Sequence, residues 1–151
     1  MTSDPGRALQ PLLELLITYH SSLVTAFMPM PRILLVEDHE ALAVLRCAIL
    51  RQQGYEIVSA ADGHEACRRL EQEPFDLVVT DAELPEGSGW EVATAAKKQH
   101  LPVILSTGWP LRASHSSDVD FVITKPSSVS EFLSLVHSAL KKPKSKSLAN
   151  L

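Results

Sequence analysis

FDLVVTDAELPEGSGWEVATAAKKQ, residues 75–99, is the stretch from which the rest of the chain can be read: a short β-branched apolar run ends in an acid, a turn containing proline and glycine follows, and then a helical period. The same unit recurs from Arg32 onward. Apolar runs occupy ILLV (33–36), YEIVSA (55–60), FDLVVT (75–80), PVILST (102–107) and DFVITK (120–125). Helical stretches lie between them: ALAVLRCAILRQQ (41–53, ending at Gly54), HEACRRLEQE (64–73), WEVATAAKKQ (90–99), a weak segment PLRASHSSD (110–118), and SVSEFLSLVHSALKK (128–142). A strand that reads as an unbroken apolar run is one buried on both faces, the signature of a parallel sheet with helices on each side. The predicted fold is therefore α/β, a doubly wound five-stranded parallel sheet. Asp62-Gly63 and Pro126-Ser127 supply turn and cap chemistry at helix starts.

Working outward, the 151 residues suit one domain with a little left over. A composition of 45% hydrophobic and 21% charged residues excludes collagen-like, disordered and disulfide-scaffold classes. Cys47 and Cys67 stand alone in helical stretches without C-x-x-C spacing, so neither a zinc site nor a disulfide is indicated, and a reducing cytoplasm is the expected compartment. The net charge of −4 is unevenly spread. The last eleven residues, KKPKSKSLANL, hold four lysines and no acid, leaving ten of the fourteen basic residues against all eighteen acids in the remainder. So acidic a body argues against a nucleic-acid partner, and residues 143–151 read as a solvated basic tail.

Residues 1–30 stand apart as an N-terminal extension. PLLELLITYHSSLVTAF (11–27) is the most apolar stretch, but its seventeen residues are interrupted by Glu14 and His20, too few for the roughly 20 that cross a bilayer. No small-residue cleavage site marks a signal peptide. The stretch reads as an amphipathic helix with Leu12, Leu13, Leu16, Ile17 and Leu23 on one stripe, available to the domain's own surface, to a second copy in a homodimer, or to a partner. A translated leader is the competing reading, since Met28 and Met30 immediately precede PRILLVEDHE and either can be a start. The expected division is a helical extension over 1–30, a domain over 31–142 and the tail over 143–151.

In such a sheet, ligands bind beyond the carboxyl ends of the strands, where strand order reverses. The polar residues at those ends are Glu37-Asp38 after the first run, Asp81 after the third, Thr107-Gly108 at the fourth and Lys125-Pro126 at the fifth. Three carboxylates brought together repel one another unless a cation joins them. Mg²⁺, which takes oxygen ligands and is commonly held by one or two carboxylates plus a phosphate, suits Glu37, Asp38 and Asp81. Lys125 and Thr107 are what the oxygens of a transferring phosphoryl group require, with Asp81 as the nucleophile. Each residue alone has a plainer reading: the acid pair as a helix N-cap, Asp81 as a turn residue, Thr107 as a strand-end hydroxyl, Lys125 as a solvated charge. Their occurrence together at four strand ends is what makes a site.

LLVED (34–38), VVTDAELPEGSGWE (78–91), PVILSTG (102–108) and ITKP (123–126) resemble the receiver domain of bacterial two-component response regulators over residues 31–142, with D-x-x-x-P-x-x-x-G carried by Asp81, Pro85 and Gly89. The resemblance implies a flavodoxin-like strand order and Asp81 as phosphoacceptor. It implies Asp38 as a direct Mg²⁺ ligand, Glu37 acting through water, and the backbone carbonyl of Glu83 completing the coordination. Thr107 becomes the switch hydroxyl and Lys125 the phosphate-binding lysine, ahead of a cis Pro126. A signalling module rather than an enzyme follows, taking its phosphoryl group from a histidine kinase or a histidine phosphotransfer protein and acting through a downstream protein partner. No output domain follows Lys142, so a stand-alone receiver is expected.

Two departures from the pattern matter. The family usually places an aromatic three residues before the lysine, where this chain has Val122, with Phe121 one place away. Between Thr107 and Lys125 the chain is also about one helical turn short, so the fourth helix is expected to be short or missing. The alternatives are a pseudo-receiver that keeps the fold as an interaction surface, and an aspartate-nucleophile phosphatase. Such phosphatases start from D-x-D on the first strand, whereas Asp81 lies on the third, with Glu83 as the second acid.

Overall fold

The apolar runs become five short strands and the periodic stretches become helices. The computed structural model describes residues 5–110 and 117–142, apart from the side chains of 5–8 and 21–27. In chain order the elements are α1 (Pro5–Phe27), β1 (Arg32–Val36), α2 (Glu40–Gln52), β2 (Glu56–Ala60), α3 (Gly63–Gln72), β3 (Leu77–Asp81), α4 (Gly89–Lys98), β4 (Val103–Thr107), β5 (Phe121–Thr124) and α5 (Val129–Lys141). The chain divides after Met30 into two compact units.

The first unit is α1, which contains Pro11. Leu12, Leu13, Leu16 and Ile17 are exposed, while the side chain of Leu23, placed on the same stripe by its spacing, lies outside the described residues. Among the described residues no helix is long and apolar enough to cross a membrane.

In the second unit the sheet order is β2-β1-β3-β4-β5 and every pairing is parallel. Because strand side chains alternate between faces, each run feeds two cores. Ile33, Leu35, Leu77, Val79, Ile104 and Ile123 pack with Cys47 and Leu50 of α2 and Phe132, Val136 and Ala139 of α5. Leu34, Val36, Val78 and Val103 face the other way, against Ala66 and Leu70 of α3 and Val92, Ala93 and Ala96 of α4. Most of these strand residues are fully buried, each worth about 1.5–3 kcal/mol, which is why the unbroken apolar reading identifies doubly covered strands.

Helix starts are built as the sequence suggests at Asp62, whose carboxylate accepts from Glu65 N–H, and at Ser88, which forms a capping box with Glu91. At α5 the cap is Ser128 rather than Pro126-Ser127, its hydroxyl accepting from Glu131 N–H at 3.1 Å. The expectation of a short or missing helix over 110–118 falls largely on 111–116, outside the described residues, as does the basic tail over 143–151.

Candidate functional site

The sheet sets β2 on one side of β1 and β3 on the other, so the loops leaving β1 and β3 diverge and open a crevice at the carboxyl edge. Glu37 follows β1 with its N–H donating to Ala60 O at 3.1 Å, and Asp81 is the last residue of β3. Lys125 follows β5, its N–H donating to Thr107 O at 2.9 Å, so the ends of β4 and β5 are fastened together. The Lys125–Pro126 peptide is cis. A further wall is the start of α4, where Gly89 N–H donates to Ala82 O at 2.9 Å. The approach is so close that a Cβ on Gly89 would stand 1.8 Å from Asp81 O. Only glycine fits there.

The acid pair does not cap α2. That place belongs to His39, whose Nδ1 accepts from Leu42 N–H at 3.3 Å. Glu37 Oε1 accepts from His39 N–H at 3.2 Å, and the Glu37 and Asp81 side chains are buried while Asp38 is exposed. One carboxylate oxygen from each of Glu37, Asp38 and Asp81 lies within 4.8 Å of the others. Both Asp81 carboxylate oxygens are buried, and neither has a hydrogen-bond partner among the described residues. Buried polar atoms are almost always bonded, so this pair is an exception that calls for a cause.

Charge surrounds those two oxygens instead. Lys125 Nζ stands 2.9 Å from Asp81 Oδ2 and 4.0 Å from Glu37 Oε2. Arg46 Nη1 lies 3.1 Å from Glu37 Oε2 and 3.7 Å from Asp81 Oδ1. Burial pushes the Glu37 carboxyl up to about 7, and the Asp81 carboxyl beside it acts in the same direction, against Lys125 and the His39 N–H. The guanidinium at 3.1 Å also favours the ionised form.

Arg46 is the residue that reading the sequence did not single out. It is buried, its Nη2 donates to Ser106 Oγ at 3.3 Å, and its guanidinium carbon sits 5.0 Å from the Phe132 ring centroid. The signal available in the sequence is its place one turn before Leu50, on the face of α2 that Cys47 and Leu50 also bury. A charge on an apolar stripe is rarely buried without a partner.

Thr107 is buried at the end of β4, where its Oγ1 accepts from Trp109 N–H at 3.1 Å, and Trp109 itself is exposed. Val122 is half-buried opposite Leu105, and the ring one place earlier, Phe121, takes the Lys142 ammonium at 4.7 Å from its centroid. Glu83 lies in the turn beyond β3 and forms a bridge with Ser88. The edge thus gathers three carboxylates, two of them buried, with two cations and a hydroxyl, a set suited to holding a metal ion and a phosphoryl group together.

Comparison with known proteins points the same way. The family model for the response regulator receiver domain matches residues 33–137. The alkaline phosphatase synthesis transcriptional regulatory protein PhoP of Bacillus subtilis is 37% identical over 78 residues, covering 50% of this chain and 32% of the relative. The phosphate regulon transcriptional regulatory protein PhoB of Rhizobium meliloti is 32% identical over 133 residues, covering 81% of this chain and 57% of the relative. The chain therefore spans less than two thirds of the length of these relatives. Among solved structures, the response regulator protein TrrA of Thermotoga maritima, in complex with Mg(2+)-BeF, shares 33% identity at a TM-score of 0.67, covering 73% of this chain and 99% of that one. A CheY-like receiver domain protein of Methanospirillum hungatei shares 29% identity at 0.67, covering 74% and 94%.

Proposed function

This chain belongs to the response regulator receiver domain family, and from that premise we propose that Asp81 accepts a phosphoryl group from a phosphohistidine carried by a histidine kinase or a histidine phosphotransfer protein. The observation that carries the reading is the pair of buried Asp81 oxygens without a hydrogen-bond partner, with an ammonium 2.9 Å from one of them. A buried carboxylate paired with an ammonium, and with no backbone donor on either oxygen, stays ionised and keeps lone pairs available to attack phosphorus.

The donor set fits a hard divalent cation: three carboxylate oxygens lie within 4.8 Å, two of them from buried residues. Mg²⁺ is the cofactor proposed, with Asp38 and Asp81 as ligands, Glu37 acting through water and the Glu83 carbonyl beside them. When bound it neutralises charge on the transferring phosphoryl oxygens. In the transfer an Asp81 oxygen attacks phosphorus and the new O–P bond forms as the donor's P–N bond breaks. The electron pair stays with the imidazole, which leaves neutral after taking up a proton. Lys125 Nζ supplies positive charge to the phosphoryl oxygens, and Thr107 Oγ1 offers a donor once it releases Trp109. Val122 has no ring to follow Thr107 inward, so the change passes instead through the backbone after Gly108. The protein then acts as a cytoplasmic signalling module through a protein partner, and residues 31–142 form the phosphoaccepting unit.

The test is intact mass after incubation with acetyl phosphate and Mg²⁺. Wild type gains one phosphoryl group, lost on treatment with hydroxylamine, and Asp81→Asn gains none because an amide is a poor nucleophile. Undiminished labelling of Asp81→Asn overturns the reading.

A further inference from the structure

Arg46 carries the inference, which rests on the proposed phosphoacceptor site. It is a cation on the inner side of the acidic cluster, 6% exposed, fixed from three directions by Glu37, Ser106 and the Phe132 ring. Lys125, by comparison, has a side chain 35% exposed and reaches the cluster from the rim. A guanidinium so enclosed cannot exchange its partners for water, so its charge is a permanent part of the site.

Charge counting shows what that permanence does. Formally, Glu37, Asp38 and Asp81 carry three negative charges and Arg46 and Lys125 two positive ones, leaving the unphosphorylated cluster at −1. A divalent cation takes the cluster past neutrality to +1. Phosphorylation replaces the single Asp81 charge with about two, returning the metal-loaded cluster to about zero. Without Arg46 the same three states run −2, 0 and about −1, and the metal-loaded unphosphorylated site becomes the balanced one.

We propose that Arg46 is a positioning residue that competes with the divalent cation for Glu37 and Asp81 in the unphosphorylated protein, and so makes tight metal binding depend on the phosphoryl group. Its Nη1 lies 3.1 Å from Glu37 Oε2 and 3.7 Å from Asp81 Oδ1, on the two buried acids of the cluster. The fork that reaches both also donates to Ser106 Oγ, in the strand position paired with Asp81, so its charge is fixed against two of the three acids that would hold the metal. A purely structural ion pair would fill the same space without weakening the metal.

The experiment measures Mg²⁺ affinity of the full chain by calorimetry, with and without beryllofluoride as the acyl-phosphate mimic, in wild type, Arg46→Gln and Arg46→Lys. In Arg46→Gln the affinity without beryllofluoride rises about tenfold. Arg46→Lys stays within about threefold of wild type because it keeps the charge. Equal affinity of wild type and Arg46→Gln overturns the proposal, as does an equal rise in both variants. If Arg46→Gln is unfolded without metal, circular dichroism replaces calorimetry: refolding at Mg²⁺ concentrations that leave wild type unsaturated supports the proposal, and failure of Mg²⁺ to refold it while Arg46→Lys folds overturns it. Normal phosphoryl labelling beside an unchanged Arg46→Gln affinity removes this inference alone. A wild type that neither labels nor binds Mg²⁺ removes the receiver reading and this inference with it.

Discussion

Asp120 enters β5 at the amino edge of the sheet and Asp81 leaves β3 at the carboxyl edge, and the chain surrounds the two carboxylates in opposite ways. Asp120 Oδ2 accepts from Val103 N–H at 2.8 Å and from Lys97 Nζ, Lys142 Nζ stands 3.5 Å from Oδ1, and the Asp120 N–H itself donates to Val103 O at 3.0 Å. Partial burial pulls the Asp120 carboxyl upward, but Lys97, the Val103 N–H and Lys142 outweigh it and hold it below the ordinary aspartate value. At Asp81 both oxygens are buried without a hydrogen bond. The first carboxylate has spent its acceptors on joining β4, β5 and two helices. The second has, among the described residues, no backbone N–H on either oxygen and is faced instead by the charges of Lys125, 2.9 Å from Oδ2, and Arg46, 3.7 Å from Oδ1. One sheet thus carries one acid tied into its framework and another at the edge where three carboxylates and two cations meet.

The largest effect expected is at the second edge, where Gly89→Ala drives a Cβ to 1.8 Å from Asp81 O. Relief means displacing the start of α4 or the end of β3, for a loss of about 3 kcal/mol or more, read as the midpoint of urea unfolding. A variant as stable as wild type would mean that α4 does not fix the Asp81 edge.

Asp120→Asn sharpens the contrast from the other side, with a loss of about 2 kcal/mol at neutral pH from a charge-assisted network. The sign with pH follows from the lowered folded value. Asp120 contributes in full above the ordinary aspartate range, roughly pH 4, and its contribution is lost as pH falls through the lower folded value. The stability gap between wild type and Asp120→Asn therefore closes in acid. A gap that widened there would break the assignment.

The smallest effect has the opposite sign. In the metal-free protein Asp81→Asn removes one of three clustered negative charges and a desolvated carboxylate, and is expected to raise stability by about 1 kcal/mol. Thermal or urea unfolding in the presence of a chelator reads it. Destabilisation would mean that Lys125 and Arg46 already satisfy Asp81 as well as Val103 and Lys97 satisfy Asp120, and the distinction between the edges would fail.

The strands were legible because burial on both faces demands continuous apolar runs, and VVT and VILST can hardly be read otherwise. Strand ends followed directly, and with them the positions of Glu37, Asp38, Asp81, Thr107 and Lys125 on one edge. Less was legible where a residue's surroundings come from distant segments. Arg46 looks like Arg51 in the sequence, yet one meets Glu37 and Phe132 while the other is exposed. The Asp120 network joins Lys97 to an acid 23 positions on, a pairing no local period encodes. His39 as the cap of α2 was also hidden, since Ser, Thr, Asp and Asn lead at that position and an acid pair stands just before it.

The edge is also ordered in time, because its parts leave the ribosome in sequence. Glu37, Asp38 and Arg46 come first, Asp81 next, and Lys125 44 residues after Asp81. A chain folding from its N-terminal side can bring β1, α2 and β3 together before β5 has been synthesised, and through that interval the acids have Arg46 as their neighbouring cation. The unfinished protein is thereby spared a bare acidic cavity, yet it lacks the ammonium that faces Asp81. On the proposed function, competence to accept a phosphoryl group arrives only once Lys125, just past β5, has been made.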